Sequence, residues 1–457
     1  MSEVAEEITS FRDLPGPPGT YLLGNLERFR DDILGAFQDA TERYGDRVRL
    51  RFLYQKAVFL AHPDDIYHVL IQNHRNYVKQ TKGYKIMRLL LGNGLVTSEG
   101  DFWLRQRRIA QPSFHPQRIR SFGATMVEAT AAKLDAWSKS CERGDVIDVA
   151  GEMMEVALDI VGRTLLSTPM ADHTNTVGPA LDIVMPDVFR RTNSPLALPL
   201  WVPTKQNRRV RRAMRDLDDV VDGIIAERRQ NDDNPSDLLD MLMQARDEKT
   251  GEAMSDQQLR DEVLTIFLAG HETTATALSW TWYLLARHPE VESRLHEELD
   301  EVLPEGRFPT IDDLHELKWT RLIIDESMRL YPPVPVIARL SREDDVIGGV
   351  RIPGNTYVFM VPFITHRHPE FWPDPERFDP ERFQQRPADR PRFAYFPFLG
   401  GPRQCIGDNF ALMEAQLILA TIARRYRLRP VDEEPVGFDV NITLRPDGGM
   451  PMRIERR

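Results

Sequence analysis

One loop concentrates the chemistry of this sequence. Residues 396–407 read FPFLGGPRQCIG, and an apolar helical stretch from Phe410 to Arg424 follows. Cys405 therefore precedes a helix N-terminus in a loop kept free of bulk by Gly400, Gly401 and Gly407. Backbone N–H groups beyond the cysteine can point at its sulfur, and the helix dipole favours a thiolate there. Such a sulfur suits a metal or an electrophile. A lone cysteine is more often a buried structural residue, and Cys141, in KSCERGD, fits that description. A second concentration is FLAGHETT, residues 267–274. Ala269 and Thr273 are four apart and share one helical face. The small alanine leaves room beside the helix, and a threonine hydroxyl can bond back to the carbonyl four residues earlier and admit water. Glu272 lies about 100° around the axis from Thr273. His271, beside it, lacks the second histidine of a zinc-binding helix. Two more pairs stand at helical spacing, Glu326 with Arg329 and Trp103 with Arg107. Taken singly, these pairs are ordinary surface or packing patterns.

Together the motifs resemble the cytochrome P450 family. Phe398-x-x-Gly401-x-Arg403-x-Cys405-x-Gly407 matches that family's heme-binding signature at each fixed position, and AGHETT is similar to its oxygen-binding groove. The companions follow in family order. Glu326-Ser-Met-Arg329 runs into LYPPVP, residues 374–383 read DPERFDPERF with the PERF element twice, and ITLRPDGG stands at 442–449. The resemblance implies heme b as cofactor, with Cys405 as its proximal thiolate ligand. It places Phe398, Gly407 and Ala269 against the heme and gives its propionates to Trp103, Arg107, Arg403 and Arg339, with Arg342 as the alternative should the register differ. Glu272 and Thr273 would handle oxygen and its protons. Glu326, Arg329 and Arg382 of the second PERF copy would form a buried bracing network.

The implied function is a monooxygenase that inserts one atom of O2 into a lipophilic small molecule, a fatty acid, terpenoid or steroid-like compound. The alternative is a heme sensor without turnover, against which the intact Glu272-Thr273 pair speaks. Apolar positions Leu264, Phe267, Val334, Val336 and Ile442 are expected to line the substrate pocket. Residues 193–204, NSPLALPLWVPT, read equally as a lid over it or as a plain connection. No flavin or iron–sulfur module is evident, so electrons would come from a ferredoxin or flavodoxin with its reductase. Arg105 and Arg108, flanking Arg107, predict a basic patch where an acidic partner of that kind docks.

The elements that must position these residues are mostly helical. Long 3.6-period stretches fill residues 63 to about 300, among them Asp148 to Leu166, Lys205 to Gln230 and Asp261 to Arg287. Strand signals are confined to two regions. Val48 to Phe52 alternates apolar and charged residues, with Lys56 to Ala61 as its partner, and DDVIGGVRIPGNTYVFM carries a Gly348-Gly349 turn between short strands. Residues 1–19 form a polar, proline-rich lead. The expected fold is mainly α with small β-sheets, a single P450-like heme domain over 1–457.

Composition is consistent with this reading. The 457 residues carry 59 Lys plus Arg against 70 Asp plus Glu, a net charge of −11, which argues against a nucleic-acid-binding protein. Two cysteines are too few for a disulfide framework and point to a reducing compartment. The acidic N-terminus reads as neither signal peptide nor anchor, and no apolar run reaches the roughly 20 residues of a bilayer span. A cytoplasmic protein is expected.

Overall fold

Arg47–Phe52 alternates because one face of it is buried and the other is wet, and its partner Gln55–Leu60 pairs with it antiparallel, as the pattern predicts. The computed structural model describes residues 8–167, 174–194, 197–230, 237–384 and 390–457. Two compact units make it up, interleaved along the chain.

The first unit comprises residues 1–85, 329–377 and 385–405. Its main sheet has five strands in the order Arg47–Phe52, Gln55–Leu60, Tyr357–Met360, Ile337–Ser341, Tyr77–Val78. The two strand regions of the sequence thus share one sheet, joined where Ala57–Leu60 runs parallel to Tyr357–Met360. Helix Ile33–Tyr44 covers it, with the Phe37 ring 4.8 Å from Phe59 and 5.7 Å from Phe359. Gly348 and Gly349, with φ of +52° and +77°, make the turn between Asp345–Ile347 and Val350–Ile352, and Thr9–Ser10 extends that small sheet in parallel. A core of Val58, Leu60, Ile66, Val69, Ile337, Val358, Phe393 and Phe396 lies beneath.

The second unit comprises 86–328, 378–384 and 406–457 and is dominated by helices. Helix Val149–Leu165 begins where the Asp148 side chain accepts from the Ala150 N–H, and Lys205–Gln230 has the bounds its periodicity predicts. The longest helix runs Asp256–Arg287 and starts five residues before the predicted Asp261. A reciprocal cap between Ser255 and Gln258 sets that start, a signal that lies upstream of the apolar periodicity. It packs along Val149–Leu165, and at Gly270 an added Cβ would stand 3.1 Å from Val161 Cγ2. Asp408–Ala423, nearly uniformly apolar, is buried almost all round and packs on Gly123–Arg143. A three-stranded sheet, Tyr426–Pro430 with Pro451–Arg456 and Val146–Asp148, and a hairpin of Phe438–Val440 with Leu444–Pro446 complete it. Among the described residues no helix is long and apolar enough to cross a membrane.

Candidate functional site

In the first unit the cysteine loop is shaped by its backbone. Leu399 and Gly401 have φ of +61° and +70°. A Cβ at Gly401 would stand 2.3 Å from the Leu70 carbonyl oxygen, and one at Gly400 2.5 Å from the Phe393 ring, so glycine alone fits either approach. The chain then returns to donate the Cys405 N–H to the Phe398 carbonyl at 3.0 Å. Cys405 is exposed at the end of this loop, three residues before helix Asp408–Ala423.

Two arginines of this unit are wholly enclosed. Arg329 donates to the carbonyls of His366 at 3.0 Å, Pro375 at 2.7 Å and Arg377 at 3.1 Å, and its guanidinium lies 5.1 Å from the Trp372 ring centre. It holds the chain that leads through the first PERF copy. Arg339, on strand Ile337–Ser341, donates Nη1 to the Tyr84 hydroxyl and the Ala338 carbonyl, both at 3.0 Å. Its Nη2 is buried and has no hydrogen-bond partner among the described residues. Arg342 follows the strand and is exposed, whereas Arg339 is buried within it.

In the second unit the groove sequence lies on the unbroken helix Asp256–Arg287. The Thr273 hydroxyl donates to the Ala269 carbonyl at 2.7 Å and Thr274 to that of Gly270 at 3.2 Å, the back-bonding expected from their spacing. Ala269 is exposed and Thr273 half-buried, whereas Glu272 is buried. One oxygen of Glu272 receives the Thr443 hydroxyl at 2.5 Å and the Arg445 guanidinium at 2.8 Å. His271 is buried too. Its Nδ1 donates to the Phe267 carbonyl at 2.8 Å, and burial pushes its pKa down, so the ring is a neutral structural donor.

Elsewhere in this unit Glu326, wholly buried, accepts the Asp379 N–H at 2.9 Å and faces Arg382 Nε at 3.4 Å. The second PERF copy therefore supplies the arginine that pairs with it. Trp103 and Arg107 share a half-buried face of helix Gly100–Ala110. Burial pushes Glu414 up to about 8, the Thr274 hydroxyl opposing the shift.

The family model described as Cytochrome P450 matches residues 14–450. The chain is a cytochrome P450. Cyclooctat-9-en-7-ol 5-monooxygenase of Streptomyces melanosporofaciens is 40% identical over 85% of this chain and 83% of its own length. Pentalenene oxygenase of Streptomyces avermitilis is 38% identical over 86% of each. Among solved structures, the cytochrome P450DA heme domain superposes with a TM-score of 0.88 at 28% identity, covering 98% of both chains. The fold is that of the P450s, mainly helical with small sheets. This P450 is a monooxygenase, and its cofactor is heme. The residues suit that group, since Cys405 offers a soft ligand and the buried Arg339 guanidinium keeps one donor, Nη2, without an acceptor among the described residues.

The structure redistributes several expected pocket residues. Leu264 and Phe267 are buried in the packed side of their helix, roughly 140–160° around the axis from Ala269, so they do not share its face. The expectation rested on their apolar character, which core packing explains equally well. Val334 is half-buried against the core of the first unit, Val336 is half-buried near it in sequence, and Ile442 is half-buried in the second unit beside Thr443.

The predicted basic patch is corrected as well. Arg108 pairs with the buried Asp247 at 2.6 Å, while Arg105 donates to the Ala253 carbonyl at 2.9 Å and lies 3.3 Å from Glu252. Both charges are spent inside the unit on a segment that sequence spacing does not connect to them. In the 193–204 loop, Pro195 and Leu196 lie outside the described residues. The rest is tied to the next helix by the Asn207 amide, which donates to the carbonyls of Pro199 and Val202 at 2.8 Å. Thr443 and Arg445 are the neighbours of Glu272 that sequence reasoning missed. Their segment, ITLRPDGG, was visible as a family motif, yet nothing in it names Glu272 as the partner.

Proposed function

We propose that Cys405 holds the heme iron as a thiolate and that this P450 oxygenates a terpenoid with electrons from a separate ferredoxin or flavodoxin system. The observation that carries the reading is the Phe398–Gly407 loop, in which Gly400 and Gly401 admit approaches too close for a side chain and the Cys405 N–H returns to the Phe398 carbonyl just before a helix. Thiolate-bound heme, when present, supplies the reduction and cleavage of O2 and the transfer of one oxygen atom to the substrate. The chain does the rest. Arg339, Arg403, Trp103 and Arg107 would each offer donors to a heme propionate. Phe398 shields the sulfur, while Gly407 and Ala269 give close approach. Thr273 would hold a water beside the open helix face, and Glu272, kept in place by Thr443 and Arg445, would pass protons toward it. Glu326, Arg329 and Arg382 hold their segments in place.

The terpenoid choice over fatty acid or steroid rests on the relatives named for cyclooctat-9-en-7-ol and pentalenene. The test is spectral. Terpene hydrocarbons and their alcohols should shift the Soret band of the purified protein at micromolar concentration while fatty acids and steroids do not, and turnover should require added ferredoxin or flavodoxin plus reductase. Shifts from fatty acids alone would overturn the substrate class.

A further inference from the structure

The helix Asp256–Arg287 buries a second glutamate besides Glu272. Glu262 is wholly buried, and burial pushes its carboxyl up to about 7. Glu262 and Ala269 are seven residues apart, and Glu262 and Thr273 eleven, so the three side chains leave the helix within about 40° of one another. The same face is therefore open at Ala269 and Thr273 and closed at Glu262.

What closes it is the segment Gly92–Ser98. The Leu95 N–H donates to Glu262 Oε2 at 2.9 Å, and the Asn93 N–H donates to Asp261 Oδ2 at 2.7 Å. Asp261 is steadied from its own helix by Gln257 at 2.8 Å and Arg260 at 2.9 Å. The buried Gln106 amide reaches Glu262 Oε1 from the other side at 3.5 Å. Two glycines allow the approach. A Cβ at Gly92 would stand 2.2 Å from the Asp261 carboxyl, and one at Gly94 2.2 Å from the hydroxyl of Thr265, one turn beyond Glu262. The segment is stiffened from within by the Thr97 hydroxyl on the Gly92 carbonyl at 2.7 Å and by the Thr97 and Ser98 N–H groups on that of Gly94.

Burying an acid that is half-ionised near neutrality is costly, and a hydrophobic side chain would close the face without that cost. A carboxylate differs in accepting strong hydrogen bonds from main-chain amides, which fixes backbone rather than merely covering surface. We propose that Glu262 is a positioning residue that moors segment 92–98 over the helix face carrying Ala269 and Thr273, and so sets the room a ligand finds on that face. The second half rests on the reading that Ala269 and Thr273 border the reaction site; the first does not.

The heme-loaded protein tests both halves separately. Amide hydrogen exchange over residues 92–98 reads the mooring, and Soret titrations with imidazole and with the bulkier 1-phenylimidazole read the room. Glu262→Ala should speed exchange at Asn93 and Leu95 by about tenfold or more, and favour 1-phenylimidazole over imidazole by about threefold relative to the parent. Glu262→Gln keeps an acceptor for the Leu95 N–H and should restore both in part. Gly94→Ala leaves the acid in place but displaces the segment, and should reproduce the alanine phenotype even if Glu262→Ala does not fold. Parental exchange in Glu262→Ala or in Gly94→Ala overturns the proposal. Faster exchange with an unchanged azole ratio overturns its second half. A parent that shows no azole shift at all sinks the heme reading instead, while the exchange arm still decides the mooring.

Discussion

The cysteine loop and the groove helix place their reactive side chains by different means. Cys405 is placed by main chain, through glycines that admit close approaches at Leu70 and Phe393 and an N–H that returns to Phe398. Glu272 is placed by side chains, a hydroxyl and a guanidinium that lie 171 and 173 residues further along. A backbone-built site needs glycine at the close approaches, here Gly400 and Gly401, and tolerates no side chain there. A site built from side-chain pairs disperses its determinants and should degrade in steps as partners are removed.

The largest effect expected is at the sulfur. Cys405→Ser should abolish the red-shifted Soret band of the reduced carbon monoxide complex, whereas Cys141→Ser should retain it. A thiolate band in the first variant would remove Cys405 as ligand. Next is the scaffold that carries the main chain. Arg329→Leu strips three carbonyls of a buried cationic donor and should cost about 3 kcal/mol or more in denaturant unfolding. Loss of under about 1 kcal/mol would show that the loop segment does not depend on it.

The groove should respond more gradually. Thr273→Ala should still consume reductant but divert it to hydrogen peroxide, and Arg445→Met should slow turnover about tenfold without that diversion, with Thr443→Val smaller still. Product formed per reductant consumed separates them. Equal coupling in Thr273→Ala and the parent would remove Thr273 from proton handling, and an unslowed Arg445→Met would break the contrast between the two regions.

The smallest effect is one of pH. Burial raises Glu414 from the ordinary carboxyl range to about 8. Its neutral form is favoured in the fold, so this stabilising contribution is complete below the unfolded pKa and is lost as pH rises from about 4.5 through 8, at up to about 1.4 kcal/mol per pH unit. Glu414→Gln, which cannot ionise, should melt like the parent near pH 4 and at higher temperature than the parent near pH 8. Parallel melting curves at both values would show that Glu414 is not held neutral.

Sequence alone determined the family motifs, the helical character, the hairpin around Gly348-Gly349 and the back-bonding of Thr273. Each is a local matter, fixed by dihedral preference, helical spacing or contiguous residues. Tertiary structure decided the rest. Leu264 and Phe267 read as pocket residues because an apolar side chain looks the same facing a ligand or a core. Arg105 and Arg108 read as free cations because Asp247 and Glu252 approach them only through the fold. Thr443, Arg445 and the mooring of Leu95 by Glu262 pair residues more than 160 positions apart. A linear pattern carries the type of each group but not its distance from another, and hydrogen bonds and ion pairs are decided within a few ångströms.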